Sequence, residues 1–196
     1  MVLGGTRVVE GSRVVAMTDT ELADVAELDR GTAEDAALLL RPSCASTRWI
    51  ERLVGSRPHG SLVRLAAASD AAIAALGWPD IEEALAAHPR IGARALGQEP
   101  PGQEPPGQER ESSWSRQEQA AAAGAGAGVQ AELWAGNAEY EERFGHIFLI
   151  CATGRSAEDM LAALRARLGH DPEAEREVVR AELRQIVRLR LAKTFR

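Results

Sequence analysis

Helix-breaking residues cut this sequence into short segments, and within each segment the apolar residues recur with helical spacing. The breaks fall at Gly31 with Thr32, at Pro42, at Gly55 with Pro58, at Gly77, Pro89, Gly145 and Gly169. Between Asp19 and Leu40, Leu22, Val25, Ala26 and Leu28 begin a pattern that "AEDAALLLRP" resumes after the break. "SCASTRWIERLVGSRP" places Trp49, Ile50, Leu53 and Val54 on one face, and "SLVRLAAASDAAIAALG" follows it. "PDIEEALAAHPR" has Pro79 and acids at its start and stops before Pro89, as the helix dipole and its unpaired N–H groups favour.

The second half repeats the pattern. "SSWSRQEQAAAAGAGAG" offers Ser112 or Ser113 as a cap, with the glycines at 124–128 as its end. "VQAELWAGNAEYEERFG" spaces Leu133, Trp134, Asn137, Tyr140 and Phe144 along a helix. "SAEDMLAALRARLG" has Ser156 as N-cap, Asp159 three residues on and Gly169 just past its end. Asp171 and Pro172 open the last helix, which carries Val179, Leu183, Ile186 and Val187 inward. Alanine, leucine, glutamate and arginine dominate, and these lose little rotamer freedom in a helix. Only "IFLICATG" breaks the helical spacing; with no partner strand in view, it reads as an extended buried segment. The expectation is an all-α fold, a single compact bundle-like domain of about eight helices.

Two stretches fall outside that domain's core. Residues 1–16 carry Arg7, Glu10 and Arg13, which interrupt any signal-peptide apolar region and read as a disordered extension ahead of a domain at 17–196. "GQEPPGQEPPGQE", residues 97–109, is a five-residue repeat with no apolar face, hence a flexible Pro/Gly-rich surface loop. A net charge of −6 argues against a nucleic-acid partner. No apolar run approaches the roughly 18 residues of a membrane span. Cys44 and Cys151 sit in unrelated contexts and read as reduced, partly buried thiols, which suits the cytoplasm.

Four histidines are available for chemistry, and none stands in an HxxxH pair, so no metal site is expected. His59, after Pro58, reads as a solvated loop residue, and His170 as a linker between a helix end and a helix start. His146 is open to either a packing or a site role. His88 ends a helix directly against Pro89, which fixes its backbone; a neutral imidazole there packs or hydrogen-bonds in many ways. Ser115, Glu118 and Gln119 share one face of a helix that is either solvated or lines a polar pocket. "FLICA" must satisfy its buried backbone groups through loops, water or a polar planar ligand.

Taken in order, "HPRIG", "SRQEQ" and "RFGHIFLICATGRS" resemble the 2-oxo-4-hydroxy-4-carboxy-5-ureidoimidazoline (OHCU) decarboxylases of urate breakdown. "LRPSCASTRWIERL" and "ELRQIVRLRLAK" fit the same family, and the likeness runs from about Thr18 to Lys193. The resemblance implies an all-α homodimer with no metal or organic cofactor that converts OHCU to (S)-allantoin and CO2. It implies His88 and Glu118 as the catalytic pair, with Glu118 orienting the imidazole. Pro89 would offer its carbonyl to the substrate, with Ser115, Arg116, Gln117 and Gln119 as further contacts. Phe148, Leu149, Ile150, Cys151 and Ala152 would grip the ureido-imidazoline through their backbone. The proline-glycine repeat and the N-terminal extension depart from the family pattern. Two other readings stay open: a non-catalytic helical ureide-binding module, and an amidohydrolase of another ureide step, whose clustered His and Asp ligands this sequence lacks.

Overall fold

A computed structural model of the chain describes residues 23–91 and 126–195. The expected extension (1–16), the GQEPP loop (97–109) and the helix capped at Ser112 or Ser113 lie outside the described residues, as do Ser115, Arg116, Gln117, Glu118 and Gln119. The described residues form eight helices: α1 (Val25–Arg30), α2 (Ala33–Leu40), α3 (Thr47–Gly55), α4 (Leu62–Ala74), α5 (Trp78–Ala86), α6 (Ala127–Phe144), α7 (Ala157–Arg167) and α8 (Pro172–Thr194). The fold is all-α. The one strand-like pairing among the described residues is an isolated bridge between Ala23 and Phe195, where the Ala23 N–H donates to the Thr194 carbonyl at 2.8 Å.

The helix starts follow their side chains. Asp24 with Glu27, Thr32 with Asp35, and Ser156 with Asp159 close capping boxes on α1, α2 and α7. Asp171 accepts from the Glu173 and Ala174 N–H groups ahead of Pro172 in α8. α6 ends at Gly145, whose φ of 76° is a left-handed turn that glycine adopts without strain. The glycines at 124–128 do not simply end a preceding helix, since Gly126 caps α6 and Gly128 lies in its first turn.

Two apolar cores organise the chain. One joins α1–α5 to α8 through Leu28, Leu40, Trp49, Leu65, Ile81, Leu183 and Leu191. The other joins α6 and α7 through Leu133, Tyr140, Met160 and Leu164. Residues 148–152 form the extended segment expected from "IFLICATG", and their side chains alternate between the cores. Leu149 and Cys151 enter the first, while Phe148, Ile150 and Ala152 enter the second. The segment is therefore a partition wall, buried on both faces.

His59 is not solvated; it is 4% exposed. Its Nε2 lies 3.0 Å from the Leu53 carbonyl, and its backbone N–H donates to Asp29 at 2.8 Å. The loop folds back onto α1 and α3, and those partners make the buried ring affordable in place of water. Both cysteines are buried rather than partly buried. None of the described helices is long and apolar enough to cross a membrane.

Candidate active site

α5 ends at Ala86, and one further turn carries the chain to His88, whose N–H donates to the Leu85 carbonyl at 2.9 Å. The imidazole folds back on the same helix end, with Nδ1 2.9 Å from the Ala84 carbonyl. A carbonyl only accepts, so Nδ1 carries the proton and Nε2 keeps its lone pair. His88 is buried, and Nε2 has no hydrogen-bond partner among the described residues. Burial, first, and the nearby Arg190 charge, second, push the His88 pKa down from 6.5 to about 3, against the Ala84 hydrogen bond. The ring is neutral at physiological pH and keeps a fixed lone pair at Nε2 inside the protein.

Beyond Pro89 the chain is tied to α6. Arg90 makes a bidentate pair with Glu141 at 2.5 and 2.7 Å, and Asn137 Nδ2 donates to the Ile91 carbonyl at 2.9 Å. Leu85 packs in the core that receives Leu149 and Cys151, and Ile91 in the core that receives Phe148 and Ile150. The His88 turn thus runs between the two cores, as the extended segment does. A cavity of about 210 Å³ lies between α5 and the link that follows α6, lined by Glu82, Leu85, Ala86, Gly145, His146 and Ile147. A second, of about 310 Å³, lies between Arg90 and Trp134, Asn137, Ala138 and Glu141 of α6. Neither lining includes His88.

The extended segment has no neighbouring strand among the described residues, and two charged side chains stand in for one. Arg167 of α7 donates through Nη1 to the Leu149 carbonyl at 2.8 Å. Glu182 of α8 accepts from the Cys151 N–H at 2.8 Å. In extended backbone, residues two apart point their N–H and C=O groups to the same edge. The Leu149–Cys151 edge is therefore engaged by protein. On the other edge, no hydrogen bond from the described residues reaches the backbone of Phe148 or Ile150. Arg167 is itself held against the Phe148 ring, 4.6 Å from its centroid, and by Glu175 at 2.5 and 2.8 Å. Glu175, fully buried, also accepts from the Tyr140 hydroxyl and pairs with His170 Nδ1 at 2.7 Å. His170 is thus part of this network rather than a bare linker.

The His88 turn and residues 148–152 each run between the two cores, while Glu118 and its neighbours lie outside the described residues. It adds groups that sequence reading missed: Arg190, fully buried beside His88, and the pair Arg167 and Glu182 behind the wall. A signal existed for Arg190. It stands four residues after Ile186 and three after Val187, on the buried face of α8 that carries Val179, Leu183 and Leu191. An arginine on such a stripe is rarely idle.

The sequence profile of the OHCU decarboxylase family matches residues 29–192. The uric acid degradation bifunctional protein TTL of Arabidopsis thaliana is 33% identical over 152 residues, covering 78% of this chain and 45% of the relative. The 2-oxo-4-hydroxy-4-carboxy-5-ureidoimidazoline decarboxylase of Amia calva is 39% identical over 79 residues, covering 40% of this chain and 45% of the relative. The chain thus spans less than half the length of these two curated relatives. A crystal structure of an OHCU decarboxylase in the presence of (S)-allantoin superposes with a TM-score of 0.64 at 28% identity, covering 83% of this chain and 97% of that one. A helical fold with a histidine turn and an extended wall between its two cores, and a family match over most of its length, lead to one conclusion: this chain belongs to the OHCU decarboxylase family.

Proposed function

We propose that this chain decarboxylates OHCU to (S)-allantoin and CO2, with His88 and Glu118 as its catalytic pair. The observation that carries the reading is the His88 imidazole, pinned through Nδ1 with a buried lone pair at Nε2. In OHCU the bond to the carboxylate adjoins a ring C=N bond. When CO2 leaves, the bonding pair forms a ring C=C bond and the C=N pair moves onto nitrogen, which takes a proton. The hydroxyl at the reacting carbon then loses its proton as the adjacent carbon gains one, giving the ring amide carbonyl. The ring is its own electron sink, so the reading needs no cofactor.

His88 Nε2 accepts the hydroxyl proton in this reading. Its low pKa is a consequence of burial and Arg190, and a bound substrate carboxylate offsets the Arg190 charge and raises it. Departure of CO2 removes that carboxylate, and the imidazolium becomes a stronger acid as the product carbon needs its proton. Orientation of the ring falls to the Ala84 carbonyl rather than to Glu118, as Nδ1 is already engaged. Glu118 is left to act on the substrate or at Nε2, with Ser115, Arg116, Gln117 and Gln119 as substrate contacts. Pro89 and the open Phe148–Ile150 edge take up the planar ureide. The reading extends to a homodimer in the cytoplasm, as the family resemblance implies.

The test is circular dichroism on OHCU made in situ from urate by uricase and hydroxyisourate hydrolase. Fast appearance of a persistent (S)-allantoin signal, lost in His88→Asn and in Glu118→Gln, is expected. Decay identical to the protein-free control, from a folded protein, overturns the reading and leaves a ureide-binding module.

A further inference from the structure

The cavity of about 210 Å³ at the end of α5 has no part in the reaction described above, yet its lining holds two polar side chains, Glu82 and His146. His146 is 9% exposed and set among rings, 5.0 Å from Trp78 and 5.4 Å from Tyr140 between centroids. Its Nδ1 lies 3.1 Å from the Ile147 carbonyl, so in the neutral ring Nδ1 carries the proton and Nε2 the lone pair. Nε2 has no hydrogen-bond partner among the described residues. Glu82 is fixed in the same manner. One of its oxygens accepts from the Trp78 indole N–H at 2.7 Å, and the other has no hydrogen bond among the described residues. Arg176, 4.9 Å from the Trp78 ring centroid, pairs with Glu173 at 3.0 Å rather than with Glu82. Both polar side chains are therefore acceptors, each held by a neighbour and each with one site open. Two helices also end here. The last turn of α5 supplies Leu85 and Ala86, and Gly145 caps α6, so both turn the negative ends of their dipoles to the cavity. Glu82 is the one charged residue of the described lining. The cavity thus favours positive charge that arrives with N–H donors.

We propose that this cavity is a binding site for a small organic cation, an alkylguanidinium, whose N–H groups bridge the Glu82 carboxylate and His146 Nε2. A guanidinium donates from one plane in fixed, diverging directions, so two of its N–H groups serve two separate acceptors. The volume is more than a bare ion or a single water takes up, and Leu85, Ala86 and Ile147 give the alkyl part an apolar wall. The site stands apart from the decarboxylase reading, because its test reads binding alone.

The test is a titration of the full chain with propylguanidinium chloride, followed by proton–nitrogen NMR. Saturable shifts should centre on the amides of Leu85, Ala86, Gly145 and Ile147 and on the Trp78 indole N–H, with a Kd of about 0.1–1 mM, as a ligand of this size allows. Glu82 is exposed, so Glu82→Gln keeps the fold, and it should raise Kd about 10–100-fold, the range for a hydrogen bond to a charged group. His146→Phe keeps a ring among Trp78 and Tyr140 and removes Nε2, and should weaken binding in the same direction; if it does not fold, Glu82→Gln decides alone. Propylurea, the neutral molecule of nearly the same shape, should bind at least about tenfold more weakly. No saturable shift overturns the proposal, as do shifts centred elsewhere or an unchanged Kd in folded Glu82→Gln. Equal affinity for propylurea also overturns it, since the cavity would then select N–H donors without regard to charge.

Discussion

His88 should make this protein lose stability in mild acid, and the amount follows from its burial. Folding lowers the His88 pKa from 6.5 to about 3. Between those values the folded chain binds fewer protons than the unfolded one, so stability falls as pH falls through that window and is complete above it. The slope well inside the window is about 1.4 kcal/mol per pH unit. From pH 7 to pH 5 the neutral ring therefore accounts for a loss of about 2 kcal/mol. For a chain of this size that is about 4–8 °C in melting temperature. The assay is thermal or urea unfolding of wild type and His88→Asn at both pH values. The variant has no imidazole to titrate, and contributions from the carboxylates are common to both proteins and cancel in the comparison. Wild type should lose about 2 kcal/mol more than the variant over this interval. Equal losses would refute the reasoning, because they would mean that the ring protonates in the folded state as readily as in the unfolded one.

Two further substitutions probe the support behind the extended segment. Glu175→Gln leaves the buried Arg167 without its counter-charge and should cost about 3–5 kcal/mol, read as a melting temperature lower by roughly 6–20 °C; a change within a degree or two would mean that the ion pair contributes little. Glu182→Ala removes the acceptor 2.8 Å from the Cys151 N–H and should raise KM for OHCU more than it lowers kcat, while Glu182→Gln, which keeps an oxygen there, recovers most of the loss. Wild-type KM in the alanine variant would show that the wall holds its shape without that bond.

The elements that sequence made legible are those whose cause is local. A cap and its partner lie three residues apart, so Ser156 with Asp159 is visible without a fold. The apolar stripe of α8 is likewise local, and Val179, Leu183, Ile186 and Val187 are all buried. Val54 packs on the first core but stays only half-buried, and Trp134 is half-buried beside Arg90. What sequence hid are groups whose partners are distant. Glu175 meets Tyr140 across 35 positions and Glu182 meets Cys151 across 31, so each reads alone as one more solvated acid. His59 is hidden for the same reason, since Asp29, which secures its loop, lies 30 positions earlier. At the candidate site, His88 and the apolar wall were legible through their motifs. The atom that makes His88 useful was not, because Ala84 decides the tautomer only once α5 has closed its last turn.

The absence of a strand partner among the described residues makes this segment a candidate for a binding site. A buried extended segment must hydrogen-bond along both edges or lose stability for each orphaned group. A neighbouring strand would satisfy one edge with backbone and leave no room for chemistry there. Here Arg167 and Glu182 reach one edge from helices behind it, and they serve a carbonyl and an N–H with opposite charges matched to each. The Phe148 and Ile150 row receives nothing from the described residues. A planar ureide offers alternating N–H and C=O groups in one plane, as a strand does, and is the right kind of molecule to complete that row. Under the proposed reading, the energetic debt of an unpaired edge becomes substrate affinity, and the same wall that separates the two cores sets the plane from which the carboxylate must rise.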